Sequence, residues 1–100
     1  MVGTQVLQKA VLTSSGFVGG SSRPLTIFSV AAVNTSAVAS NSLIHEAGSG
    51  GAVLFGCKVA GAAIGDSTVV DFSKGISMSD AYAEVAAGAP RITVVYALSE

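Results

Sequence analysis

The chain has 100 residues, half of them hydrophobic and only 11% charged, with a net charge of −1. That length allows one domain, over residues 1–100, and leaves no room for a second core. The basic residues Lys9, Arg23, Lys58, Lys74 and Arg91 are scattered, which argues against nucleic acid as a partner, and the lone Cys57 excludes an intrachain disulfide.

The opening MVGTQVLQKAVL lacks a basic start followed by an apolar run, so no signal peptide is expected. The recurring signal downstream is period 2, the signature of strands. A first strand is predicted over Gln5–Thr13, where Val6 and Gln8 alternate with Leu7 and Lys9. SSGFVGGSS, from Ser14 to Ser22, reads as a wide Gly/Ser loop. Pro24 suits a strand start, since proline lacks a ladder donor.

Leu25–Val33 is a long apolar strand with little alternation, the pattern of a strand covered on both faces. A partner subunit is the simple second cover. Asn34-Thr35-Ser36 marks a turn, and Val38–Glu46 a further strand. Ala47–Gly51 (AGSGG) reads as a hairpin connection.

The next strand alternates most cleanly. Val53, Phe55, Cys57 and Val59 are assigned to the core, with Ala52, Leu54, Gly56 and Lys58 facing away. Ala60–Gly65 is a small-residue turn. Ser67–Phe72 follows as a strand with Val70 and Phe72 on one face and Val69 with Asp71 on the other. Lys74-Gly75 is read as a turn, with Ile76 and Met78 pointing inward beyond it. Asp80–Ala87 fits either a helical turn or a strand, and its strand neighbours favour the strand. Gly88-Ala89-Pro90 turns into a closing strand, Arg91–Leu98, with Ile92, Val94, Tyr96 and Leu98 inward.

Seven or eight strands joined by glycine-rich turns predict an all-β fold, an antiparallel β-sandwich resembling a jelly roll. Mean hydropathy is +0.66, yet a spanning helix needs about 20 unbroken apolar residues. Lys58 and the glycines interrupt Ala52–Ile64, and Ser29, Asn34, Thr35 and Ser36 interrupt Leu25–Val38, so no membrane partner is expected.

Chemistry-bearing residues are few. His45-Glu46 pairs an imidazole with a carboxylate, but adjacent strand residues face opposite ways, so the two read as a polar strand end. Cys57 sits in an apolar row and reads as a small core hydrophobe, without His45 as its base. One His and one Cys do not make a four-ligand zinc site. Asp66, Asp71 and Asp80 match no calcium-loop spacing, and Asp66 and Asp80 read as turn residues bonding nearby backbone. No catalytic residue, cofactor or metal is therefore assigned. Tyr82, with Asp80, Glu84 and Arg91 near it in sequence, is the exposed aromatic around which a glycan-binding surface would form.

The order QKAVLTSSGFVGGSS, LTIFSVAAVNTS, SLIHEAGSGGAVLFGCKVA and VVDFSKGISMSDAYAEVAAGAPRITVVYA resembles a group of small phage virion proteins. DAYAEVA departs from that pattern, where a more plainly apolar strand is expected. The resemblance implies a non-enzymatic virion structural protein, assembled in the host cytoplasm. Its implied role is a capsid-decorating (cement) subunit, with further copies of itself and the major capsid protein as partners. A tail or fibre component, or a host-surface carbohydrate-binding or adhesion module, is the alternative.

The expected contact residues are Phe28, Val30 and Ala32, on the second face of Leu25–Val33, together with Leu54 and Val95. A closed homo-oligomer such as a trimer would hide them. On this reading Phe28→Asp or Val30→Asp breaks assembly, whereas Val53→Asp breaks folding.

Overall fold

A computed structural model describes residues 6–48, 50–88 and 90–99, which form eight strands and no helix. The predicted start of the first strand at Gln5, Ser49 of the AGSGG turn and Ala89 of the last turn lie outside the described residues. The strands are β1 (Gln8–Leu12), β2 (Gly16–Val18), β3 (Leu25–Asn34), β4 (Ser40–His45), β5 (Val53–Val59), β6 (Ser67–Met78), β7 (Ala81–Ala87) and β8 (Pro90–Leu98).

Each strand of the first half pairs antiparallel with its counterpart counted back from the other end. β1 pairs with β8, β2 with β7, β3 with β6 and β4 with β5. A chain paired this way is one long hairpin rolled over on itself. The β3–β8 and β4–β7 ladders then join the pairs into two four-stranded sheets. The first sheet has the order β1-β8-β3-β6 and the second β2-β7-β4-β5. This is the jelly-roll sandwich expected from the strand count and the alternation.

The core lies between the sheets. The first sheet contributes Leu25, Ile27, Val30, Ala32, Ile92 and Val94, and the second Val18, Ile44, Cys57, Val59, Ala81 and Ala83. Burial of each Val, Leu or Ile is worth about 1.5–3 kcal/mol. Ala81–Ala87 is a strand, the favoured reading of that segment. Its Ala81 and Ala83 face the core, where Ala83 sits opposite Ile44, and small residues suit that thin layer.

Two bulges correct the facing read from alternation. Ile27 and Ser29 of β3 are opposed by the consecutive residues Tyr96 and Val95 of β8, so Phe28 is an extra residue. A one-residue insertion flips every side chain beyond it to the other face. Leu25 and Ile27 therefore point inward before the bulge, and Val30 and Ala32 point inward after it, both fully buried. Val30 and Ala32 are core residues, and neither is available as a contact with a partner. The outer face of β3 carries Ser29, Ala31 and Val33 instead.

The second bulge is Leu54, because Phe55 and Val53 of β5 oppose the consecutive Ile44 and His45 of β4. Val53 shares the outward face of His45 and is 51% exposed, so it is not a core residue. Phe55, Cys57 and Val59 keep the inward facing assigned to them.

The Lys74-Gly75 turn is also corrected, since β6 runs unbroken through it. Opposite Phe28, β6 accommodates the four residues 72–75 between its pairings with Ile27 and Ser29. Gly75 takes φ +75° there, and a Cβ would run into the Thr26 side chain and approach the Phe28 ring to 3.0 Å. Glycine is required by both conformation and space.

Candidate functional site

The outer face of the second sheet carries one row of side chains across all four strands, Phe17–Tyr82–His45–Val53. The Phe17 and Tyr82 rings meet edge to face at 5.1 Å between centroids, and Tyr82 covers the His45 ring at 6.2 Å. The loop after β4 closes over the other side. His45 is thereby buried although it lies on an outward face.

Both imidazole nitrogens face acceptors. Nδ1 lies 3.0 Å from the Gly51 carbonyl and Nε2 lies 2.6 Å from the Glu84 carboxylate. A neutral imidazole has one N–H, so only the imidazolium donates to both at once. The Gly51 carbonyl, and secondarily Glu84, hold the His45 pKa above its ordinary value, against burial, which lowers it. The acidic partner is thus Glu84, 39 residues away, and not the adjacent Glu46, whose Oε2 accepts the Ser79 N–H at 2.9 Å.

A pH dependence follows, with a definite sign. A pKa raised by folding adds stability that is complete below the unfolded imidazole value of about 6.5 and is lost as pH rises through the higher folded value. Thermal unfolding of wild type is expected to weaken across that window. His45→Phe, which removes the titrating group, is expected to flatten this part of the profile.

Asp80 is the second organiser at this end of the sandwich. Its Oδ1 accepts N–H groups of Ala47 at 2.8 Å and Gly48 at 3.1 Å, and its Oδ2 accepts that of Ser22 at 3.4 Å. Ser22 (φ 55°) and Ala47 (φ 67°) are the non-glycine residues with left-handed backbone among those described. One carboxylate therefore pins both unfavourable turns. Asp80 bonds backbone 32 to 58 residues distant, unlike the nearby backbone expected of a turn residue. Asp66 does bond locally, accepting the Ala63 N–H at 3.2 Å.

The three aspartates do not converge. Asp66 lies in the 60–66 loop, Asp71 on the outer face of β6, and Asp80 against the loops 19–23 and 46–48. The glycan surface drawn around Tyr82 does not assemble either. Tyr82 and Glu84 face outward from the second sheet, Arg91 from the first, and Asp80 is buried. What the cluster offers is a rigid end to the sandwich.

Cys57 is buried between the sheets, 3.6 Å from the Thr68 carbonyl oxygen, and burial pushes its thiol pKa up. A protonated, enclosed thiol is a poor nucleophile. Native protein is expected to leave Cys57 unreactive toward a thiol reagent until denaturant is added. Beside it on β4, Ser42 is fully buried, and its Oγ has no partner among the described residues. Ser42→Ala is expected to raise stability by about 1 kcal/mol, read from denaturant unfolding, since a stranded hydroxyl is lost at little cost in volume.

The expected contact residues are dispersed. Leu54 is exposed on the second sheet, Val95 is half-buried on the outer face of the first, and Phe28 is half-buried at its bulge beside Gly75. Exposed aliphatic side chains, interspersed with Thr93, Ser29 and Ser67, gather on the outer face of the first sheet, and most of them were not singled out from sequence. Three ladders align Val11, Thr93, Ala31 and Val69 in one row, with 52% exposure at Val11 and 58% at Val69. The row on one side is Lys9–Val95–Ser29–Asp71, and on the other Arg91–Val33–Ser67. Only Lys9, Asp71 and Arg91 among these eleven positions are charged.

No protein-family model matches the chain, and no curated protein matches it. Among solved structures, a chain from Bacillus endospore appendages, described as a novel family of disulfide-linked pili, is similar with a TM-score of 0.53. The match covers 98% of this chain and 93% of that one at 12% identity, a likeness of fold.

Proposed function

We propose that this chain is a non-enzymatic structural subunit that works by associating with copies of itself. The observation that carries the proposal is the outer face of the first sheet, where Val11, Ala31, Val33, Val69 and Val95 form one surface with charge only at its margin. Exposed aliphatic side chains gathered on one face mark an interaction site. The two sheets already satisfy each other through the core, so this face is left for an external partner.

The finer reading is a phage virion protein of the capsid-decorating kind, with the major capsid protein as second partner and the virion as its location. It rests on the order of sequence features given above. A second reading, a subunit of a surface filament, is favoured by the fold shared with the disulfide-linked pilus chain. Here the buried Cys57 offers no exposed thiol, so association is non-covalent in either case.

Electron microscopy of the concentrated full chain, with reductant present, tests these readings. Closed oligomers of one size support the decorating subunit, and open filaments support the appendage subunit. Dispersed monomers throughout would remove both.

A further inference from the structure

We infer that the outer face of the first sheet pairs with the same face of a second copy about a two-fold axis parallel to the strands. The inference rests on the self-association proposed above and specifies its geometry. The argument comes from where the charges fall. In the row Lys9–Val95–Ser29–Asp71 the two ends carry opposite signs, Lys9 on edge strand β1 and Asp71 on edge strand β6. Both are exposed.

A two-fold axis running along the strands between β8 and β3 exchanges left and right across the face. It lays β1 of one copy over β6 of the other, and β8 over β3. Lys9 then faces Asp71 of the second copy, twice by symmetry. Val11 faces Val69, and Val95 faces Ser29. Lys9 and Asp71 meet their opposites, the Val11–Thr93–Ala31–Val69 row meets itself, and Arg91 faces Val33, an arrangement with the self-complementarity that an isologous interface requires. A two-fold axis perpendicular to the strands through the Val11 row lays β1 over β1 and β6 over β6, placing Asp71 over Ser67 and Arg91 over Val95, and gives neither Lys9 nor Asp71 an opposite charge.

Packed sheets cross at about 30°. At an edge strand about 7 Å from the axis, given a strand spacing of about 4.8 Å, that crossing displaces partners by about 4 Å. A lysine stem covers this displacement.

The size of the face sets the strength. Four strands about 4.8 Å apart and three rows about 6.8 Å apart give a footprint of about 400 Å² on each copy. A standard interface buries about 800 Å² per partner. The dimer is therefore a weak, concentration-dependent one, and its rim charges count for a large share of its specificity.

The test uses the full chain in sedimentation equilibrium at low salt, with Lys9→Asp and Asp71→Lys each alone and then mixed. Each variant alone places like charges together at both ends of the row, and its dimer is expected to weaken by about ten-fold or more. In the equimolar mixture, a Lys9→Asp chain facing an Asp71→Lys chain has two opposite-charge pairs, and dimerisation is expected to return to near the wild-type level. Circular dichroism checks that both remain folded. Should either fail to fold, Val69→Glu at the exposed aliphatic row gives a second reading, with loss of the dimer expected.

Wild-type dimers indifferent to all three substitutions, or a mixture that stays monomeric, would overturn the face and its two-fold axis while leaving self-association standing. A three-fold or open oligomer would likewise overturn the axis alone. Wild type that stays monomeric at every concentration would remove the self-association as well.

Discussion

Val30→Asp is expected to unfold the protein, and Val53→Asp to leave it folded. Period 2 alone suggests the reverse, with Val53 inside and Val30 at a contact surface. Val30 is fully buried beyond the Phe28 bulge, packed between the sheets with Ile27, Ile92 and Val94 in the core. Aspartate there loses the valine's burial and places an unpaired carboxylate where no cation is within the core. The expected loss is at least about 4 kcal/mol, against a total stability of about 5–15 kcal/mol for a domain. Val53, half-exposed at the outward end of edge strand β5, has water for an added carboxylate. A change below about 1 kcal/mol is expected there, the scale of strand propensity at such a site. Urea unfolding monitored by circular dichroism separates the two.

Asp80→Ala carries the second large effect. It removes the acceptor of three backbone N–H groups, all on residues held at positive φ. Hydrogen bonds to charged groups are worth about 1.5–3 kcal/mol each, and they are not additive when they share one acceptor. A loss of about 3 kcal/mol is expected, and Asp80→Asn, which keeps one side-chain oxygen, is expected to recover part of it. Amide exchange gives a sharper reading than stability alone. The protection of Ala47, Gly48 and Ser22 is expected to fall together in Asp80→Ala, although Ser22 belongs to a different loop. Independent behaviour of the two loops would contradict the role assigned to Asp80.

Most strands are legible because each carries its own local signal, but β2, only three residues long, lies within the Ser14–Ser22 segment read as a loop. β5 and β8 alternate over seven and nine residues, and the glycine-rich turns between strands separate them. From the seven or eight strands read this way a sandwich follows. What does not follow is which side of a strand faces in, once the ladder slips by a residue. Phe28 and Leu54 look like ordinary strand residues, and nothing in the segments LTIFSVAAVN or VLFGCKV marks the insertion. The bulges are properties of pairs, set by Tyr96 and Val95 in one case and by Ile44 and His45 in the other. Both misplaced groups, Val30 with Ala32 and then Val53, lie just beyond a bulge.

The same reason hides the His45–Glu84 pair. His45 and Glu46 are neighbours in the chain and point apart, whereas Glu84 comes near only because β4 lies beside β7. The outer face of the first sheet is a pair property too. Val11, Ala31 and Val69 come from three segments that meet only through the β1–β8, β8–β3 and β3–β6 ladders. The low charge of the chain is visible at once from composition. Which exposed valines share a face, and which charges rim them, becomes visible only when those ladders are laid side by side.

Sedimentation velocity of the full wild-type chain across a concentration series, with and without reductant, tests most directly whether that face is a non-covalent self-association surface. A sedimentation coefficient that rises with concentration and is unchanged by reductant is the predicted result. A single monomer boundary at all concentrations, or an oligomer that disappears on reduction, would contradict it.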